Sequence, residues 1–118
     1  MGVQVLSYEL LKNYSNSQKI KKILDIVKLG HVVMIEGKLN PILEAELITK
    51  ALSIYSSKFT GIEVAYLNSV KSKNIIDKFR DSLLKLLAKD RMGITVIGPS
   101  KIVKEIKMDP NQLEILFN

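Results

Sequence analysis

The 118-residue chain has no cysteine, no tryptophan, one histidine and two arginines. Without cysteine it can form no disulfide and offers no thiol nucleophile. A zinc centre needs several His or Cys ligands, and His31 alone can supply one. No Gly-x-Ser-x-Gly elbow supports a Ser-His-acid triad. No apolar run approaches the roughly 20 residues that span a bilayer. The start, Met1-Gly2-Val3-Gln4-Val5-Leu6, lacks signal-peptide features, and Leu6 stands where a myristoylation signal wants Ser or Thr. These absences predict a cytoplasmic, non-enzymatic protein that works without metal or cofactor.

What is present suits one domain. A length of 118 residues, 47 % of them apolar and 25 % charged, predicts a single α/β domain over 1–118. The net charge is +6. A basic balance points to nucleic acid or to an anionic membrane surface. The scarcity of arginine tempers that reading, because specific phosphate and base recognition leans on the planar guanidinium. Abundant Lys and Glu without Cys also suits a protein from a hot environment.

Along the chain, strand and helix patterns alternate. Val3 to Tyr8 reads as a short strand, followed by a polar connector from Lys12 to Ser17. Ser17 is placed to cap a helix whose apolar positions are Ile20, Ile23, Leu24 and Val27, with Gly30 as its stop. His31 to Ile35 is a continuous apolar run, as expected of a strand buried on both faces. Asn40 caps and Pro41 opens a second helix, striped by Leu43, Leu47, Ile48, Ala51, Leu52 and Tyr55. Gly61–Leu67 and Gly93–Gly98 read as strands three and four. A long helical stretch separates them, and helical pieces follow at Ser100–Lys107 and from Asp109 to Phe117.

This order predicts one four-stranded mixed or mostly parallel sheet covered by helices, with a right-handed parallel crossover from strand two to strand three. The direction of strand four stays open. The stretch before it is either a crossover helix or an insertion in a hairpin.

The candidate sites are few. Glu36 lies at the C-terminal end of a buried strand, where open α/β sheets place their sites. Paired with Glu63 it would offer two carboxylates to Mg²⁺, which is weak evidence for a metal. Glu44 and Glu46 are explained by the helix dipole alone. Gly98-Pro99-Ser100-Lys101 joins a strand to a helix N-terminus, a natural place for an anion, but the reading favoured is a strand stop with a Ser cap. Gln112 and Ile115 fit part of a sliding-clamp-binding peptide, without its aromatic pair.

Residues 71–91 are more distinctive. At 100° per residue Ile75, Ile76, Phe79, Leu83, Leu86 and Leu87 fall within an arc of roughly 120°. Lys71, Lys78, Lys85 and Lys89 flank one edge, Lys73 and Arg80 the other. Such a helix suits either an anionic membrane or a core with lysine stems over its rim. Burying six large side chains is worth about 9–18 kcal/mol gross, against about 4 for the membrane's attraction to the excess charge. Core is the favoured expectation.

Several stretches taken in order have a family likeness: Ile23-Leu24-Asp25, Glu36-Gly37-Lys38-Leu39-Asn40-Pro41 with Glu44 to Ile48, Phe59 to Glu63, Ile94 to Pro99, and Asp109 to Leu116. Together they cover about residues 18–118, and the chain resembles the archaeal OapB/ArvB family, a domain of unknown function. The resemblance implies a cytoplasmic protein encoded beside a Ras-like or Era-like small GTPase and a zinc-ribbon protein. It also implies a neighbourhood linked to replication origins and vesicle formation. It carries no catalytic residue onto this chain. The functional expectation is an accessory protein binding the small GTPase, in the cytoplasm or peripherally at a membrane. Its contact edge would be Glu36, Gly37, Lys38 and Pro41 together with Gly98, Pro99, Ser100 and Lys101. The alternative is a lysine-rich nucleic-acid-binding module using the basic face of Lys71, Lys78, Arg80, Lys85 and Lys89. The oligomeric state stays open.

Overall fold

Residues 2–54, 61–67, 93–109 and 112 are described by a computed structural model. The order of elements is β1 (Val3–Leu6), α1 (Tyr8–Leu11), α2 (Asn16–Lys28), β2 (Val32–Glu36), α3 (Pro41–Ser53), β3 (Ile62–Leu67), β4 (Ile94–Pro99) and α4 (Ser100–Met108). The readings on residues 71–91, Tyr55 and the stretch beyond Gln112 lie outside the described residues.

Local signals account for the helix boundaries. The cap of α2 is Ser15, two residues earlier than the expected Ser17. Its hydroxyl accepts from the Gln18 N–H at 3.2 Å, and the Gln18 side chain accepts from the Ser15 N–H at 2.8 Å. This reciprocal pair satisfies two donors that Ser17 could not reach. Gly30, at φ 86°, follows the end of α2. Asn40 caps α3 as expected, its carbonyl accepting from the N–H of Ile42 and Leu43, with Pro41 in the first turn. Ser100 is no cap: Pro99 holds that position and α4 starts without a side-chain cap bond.

The sheet has the order β1-β2-β4-β3. β1 runs parallel to β2, whereas β4 runs antiparallel to both β2 and β3. The sheet is therefore mixed, and two of its three pairings are antiparallel. β3 runs in the same direction as β2 but is not its neighbour, because β4 is inserted between them. The antiparallel β3–β4 pair settles the open choice in favour of a hairpin whose connection passes through residues 68–92.

Side chains leave the sheet on alternate faces, and both faces are buried. One face packs Leu6, Val33, Ile35 and Ile97 against Ile20, Ile23, Leu24 and Val27 of α2 and Leu43, Leu47 and Ala51 of α3. The other packs Val32, Met34, Ala65, Ile94 and Val96 against Val103 and Ile106 of α4. Two-sided burial is why β2 reads as an unbroken apolar run. The stripe expected on α3 divides: Leu43, Leu47 and Ala51 are buried, but Ile48 and Leu52 are exposed. At 100° per residue Leu52 lies half a turn round the helix from Leu43, so it cannot share the inner face.

Candidate functional site

The register decides which candidate residues meet. Glu36 lies opposite Ile94 in the β2–β4 pair, and Gly98 lies opposite Glu63 in the β3–β4 pair. Ile94 and Gly98 are four residues apart on β4, about 13 Å at the usual strand rise. Glu36, Gly37, Lys38 and Pro41 therefore occupy one end of the sheet, and Gly98, Pro99, Ser100 and Lys101 the other. They form no common edge. The same register separates Glu36 from Glu63, so the two carboxylates make no Mg²⁺ pair; Glu63 instead lies 3.7 Å from Lys107 of α4. Among the described residues no group of three or more His, Asp or Glu side chains is placed to hold a metal. His31 is half-buried, and its Nδ1 accepts from the Gly2 N–H at 2.9 Å, which ties the start of the chain to β2.

The end carrying Glu36 is built from five chain segments, β3 finishing there with Leu67 opposite Ile94. β1 and β2 both finish there, β4 begins there, and the β2–α3 turn closes it. The Gly37 N–H donates to the Gly93 carbonyl at 2.9 Å. The Gly93 N–H in turn donates to the Tyr66 hydroxyl at 3.1 Å. Gly37 adopts φ 73°, a conformation that L side chains rarely take. The Lys38 ammonium stands 6.0 Å from the centre of the Tyr66 ring, at the outer reach of a cation–π contact. A turn pinned at both sides presents Lys38, Leu39 and Asn40 in a fixed arrangement.

Beside this turn lies a cavity of about 230 Å³ between α1, α2 and the start of α3. Leu11, Ile23, Ile35, Leu39 and Leu43 supply its apolar lining. Lys12, Lys19 and Lys38 stand around it, with Glu36 and Asn40 completing the rim. Lys19 and Lys38 against Glu36 leave the lining with an excess of positive charge. The volume falls below the usual few-hundred Å³ of a cofactor pocket. It suits an apolar side chain offered by a partner, with acidic groups beside it.

Lys12 and Lys19 were not legible as site residues. Lys12 sits in a polar connector and Lys19 on a helix, and only the docking of α2 beside the β2–α3 turn brings them to Lys38. A second, more open groove of about 490 Å³ runs between α2 and α3 over Ile20, Leu24 and Ile54. On its rim the Lys21 ammonium donates to Asp25 at 2.9 Å. That hydrogen bond, with the nearby charges of Lys28 and Lys22, holds the Asp25 carboxyl below its ordinary pKa.

The family model described as Origin-associated protein OapB matches residues 11–118. The chain belongs to the OapB family. The match takes in all three rim lysines and every element from α2 to α4, while β1 precedes it. No curated protein and no solved structure matches this OapB-family chain. Among the described residues no helix is long and apolar enough to cross a membrane. The basic face expected on Lys71, Lys78, Arg80, Lys85 and Lys89 lies outside the described residues.

Proposed function

We propose that the protein is a non-catalytic accessory module that binds a small Ras/Era-like GTPase through the strand-end rim. The observation that supports this reading is the cavity beside the β2–α3 turn, with its apolar lining and the ammonium groups of Lys19 and Lys38. Its size favours a protein side chain over a nucleotide or coenzyme, and its charge favours an acidic partner surface. The partner's identity rests on the resemblance to the archaeal OapB/ArvB family, in which the small GTPase and a zinc-ribbon protein are neighbours. The Gly98–Lys101 end plays no part in this contact.

Calorimetric titration against the neighbouring GTPase, in its GDP-bound and GTP-analogue-bound states, tests the reading. Binding in at least one state is expected. Leu39→Asp and the pair Lys19→Glu/Lys38→Glu should each weaken it tenfold or more, about 1.4 kcal/mol. Absence of binding in both states overturns the proposal.

The nucleic-acid reading keeps two supporting observations. α2 carries Lys19, Lys21, Lys22 and Lys28 with a single carboxylate, and the family description speaks of origin association. Such a module would bind DNA or RNA with an affinity that falls steeply as salt rises. A flat salt dependence, or no binding at low salt, removes it.

A further inference from the structure

The sheet has two outer strands, β1 and β3. β1 is four residues long, and its shortness limits what can pair with it. β3 has six residues, Ile62–Leu67, in unbroken register with β4. It carries no proline, no lysine and no bulge, the usual protections of a strand edge.

The ladder fixes which backbone groups of β3 look outward. The Ser100 N–H donates to the Gly61 carbonyl at 3.3 Å, so Gly61 and Ser100 form a bonded pair. Bonded pairs alternate along an antiparallel ladder. Glu63, Ala65 and Leu67 therefore exchange bonds with Gly98, Val96 and Ile94. Pro99 fits this phase: it has no N–H, and it faces Ile62 in a non-bonded pair. The N–H and C=O groups of Ile62, Val64 and Tyr66 point away from β4, and among the described residues no backbone group bonds to them. Tyr66 is 39 % exposed, and Ile62, Val64 and Leu67 are half-buried.

A second copy of β3 matches this edge in one register. Two antiparallel copies about a two-fold axis at Val64 set Val64 against its own copy and Ile62 against Tyr66 of the partner subunit, the latter twice by symmetry. All three outward residues of each copy are then bonded. An axis at Glu63 or at Ala65 pairs only two of them within the strand, and the first also sets Glu63 directly against its own copy. With the axis at Val64, Glu63 faces Ala65 of the partner subunit. The two Glu63 carboxylates become diagonal neighbours, and each has a Lys107 ammonium 3.7 Å away. The cluster beside the axis thus holds two charges of each sign.

We propose that the outer edge of β3 is the interface of a two-fold dimer, in which the two four-stranded sheets join into one continuous sheet. A single strand pair buries little area, so the dimer is weak and dissociable. The contact uses no residue of the cavity on which the GTPase reading rests, and the two readings fail separately.

Sedimentation velocity over a concentration series, with amide hydrogen exchange read by NMR at both ends of the series, tests it. The chain should pass from monomer to dimer as concentration rises. The amides of Ile62, Val64 and Tyr66 should exchange fast in the monomer and at least tenfold more slowly in the dimer. Those of Glu63, Ala65 and Leu67 should be protected in both. Val64→Pro removes an outward N–H without touching a bond to β4, and it should stay monomeric. Lys107→Glu, away from the core, gathers four carboxylates at the axis and should weaken the dimer at least tenfold, while the exchange Glu63→Lys/Lys107→Glu should restore it. A chain that is monomeric throughout overturns the proposal. So does a dimer that leaves the three outward amides exchanging as fast as before, or one that Lys107→Glu leaves unchanged. Protection of those amides only when the GTPase is added would assign the edge to that partner and likewise overturn the dimer.

Discussion

The hydroxyl of Thr95, 1 % exposed on an inner strand of the sheet, donates to the carbonyl of Gly37 at 2.5 Å. Fifty-eight residues separate the two along the chain. This bond ties the second residue of β4 to the turn that presents Lys38, Leu39 and Asn40. Thr95→Val keeps the shape and leaves a buried carbonyl without this donor, at a cost of about 1–3 kcal/mol. Urea unfolding should show that loss, while Thr95→Ser should retain most of the stability. If the turn depends on the bond, partner binding at the rim should weaken in Thr95→Val as well.

Gly98 occupies a crowded position. A Cβ there would stand 3.0 Å from Val32 Cγ2 and 3.2 Å from Val103 Cγ2. Gly98→Ala should therefore destabilise by about 1–3 kcal/mol through overpacking between β2 and α4. In a double-mutant cycle with Val103→Ala the two losses should sum to more than the double variant shows. Additive losses would mean that the neighbours shift freely and the crowding is relieved elsewhere.

Two leucines of α3 separate packing from exposure. Leu47 is wholly buried and Leu52 is 66 % exposed. Leu47→Ala should cost about 2–5 kcal/mol, as deletion of a buried leucine does. Leu52→Ala at low protein concentration should fall within about 0.5 kcal/mol of wild type. Chemical unfolding of the two variants side by side measures the contrast. Equal losses would place both side chains in the core.

The lowered pKa of Asp25 makes a pH prediction. Its main cause is the hydrogen bond from Lys21, helped by the charges of Lys28 and Lys22. A carboxylate whose folded pKa is depressed contributes stability above its unfolded value, and that contribution disappears as pH falls through the folded value. Asp25→Asn should therefore be slightly less stable than wild type at neutral pH, and the difference should vanish in acid. The exposed position keeps the effect small and sensitive to salt. Melting curves from neutral pH into the acid range, at low and high salt, give the measurement.

Much of the element order was legible, because the signals that mark it are local. Asn40-Pro41 opens α3 through a side chain that reaches two residues ahead. The four strands fell where apolar runs lie between glycines and polar connectors. The Ser15…Gln18 capping box was also present in the sequence, and it outranks Ser17 because it satisfies donors in both directions. Ile48 and Leu52 were misplaced for a different reason. A helix with apolar residues on both sides has no periodicity that singles out its inner face, so only the sheet it packs on can choose.

The sequence by itself determined the kinds and order of β1, α2, β2, α3, β3, β4 and α4, and the exclusion of disulfides and thiol chemistry, since each follows from residues within a turn or two or from composition; it read Tyr8 as strand and missed the short α1. Only the tertiary structure decided that β4 enters between β2 and β3 in the reverse direction. Strand pairing joins residues dozens of positions apart, and no local pattern encodes its sense. That one choice sends Glu36 and Gly98 to opposite ends of the sheet. The docking of α2 against β2, equally non-local, carries Lys12 and Lys19 to the mouth of the cavity beside Lys38.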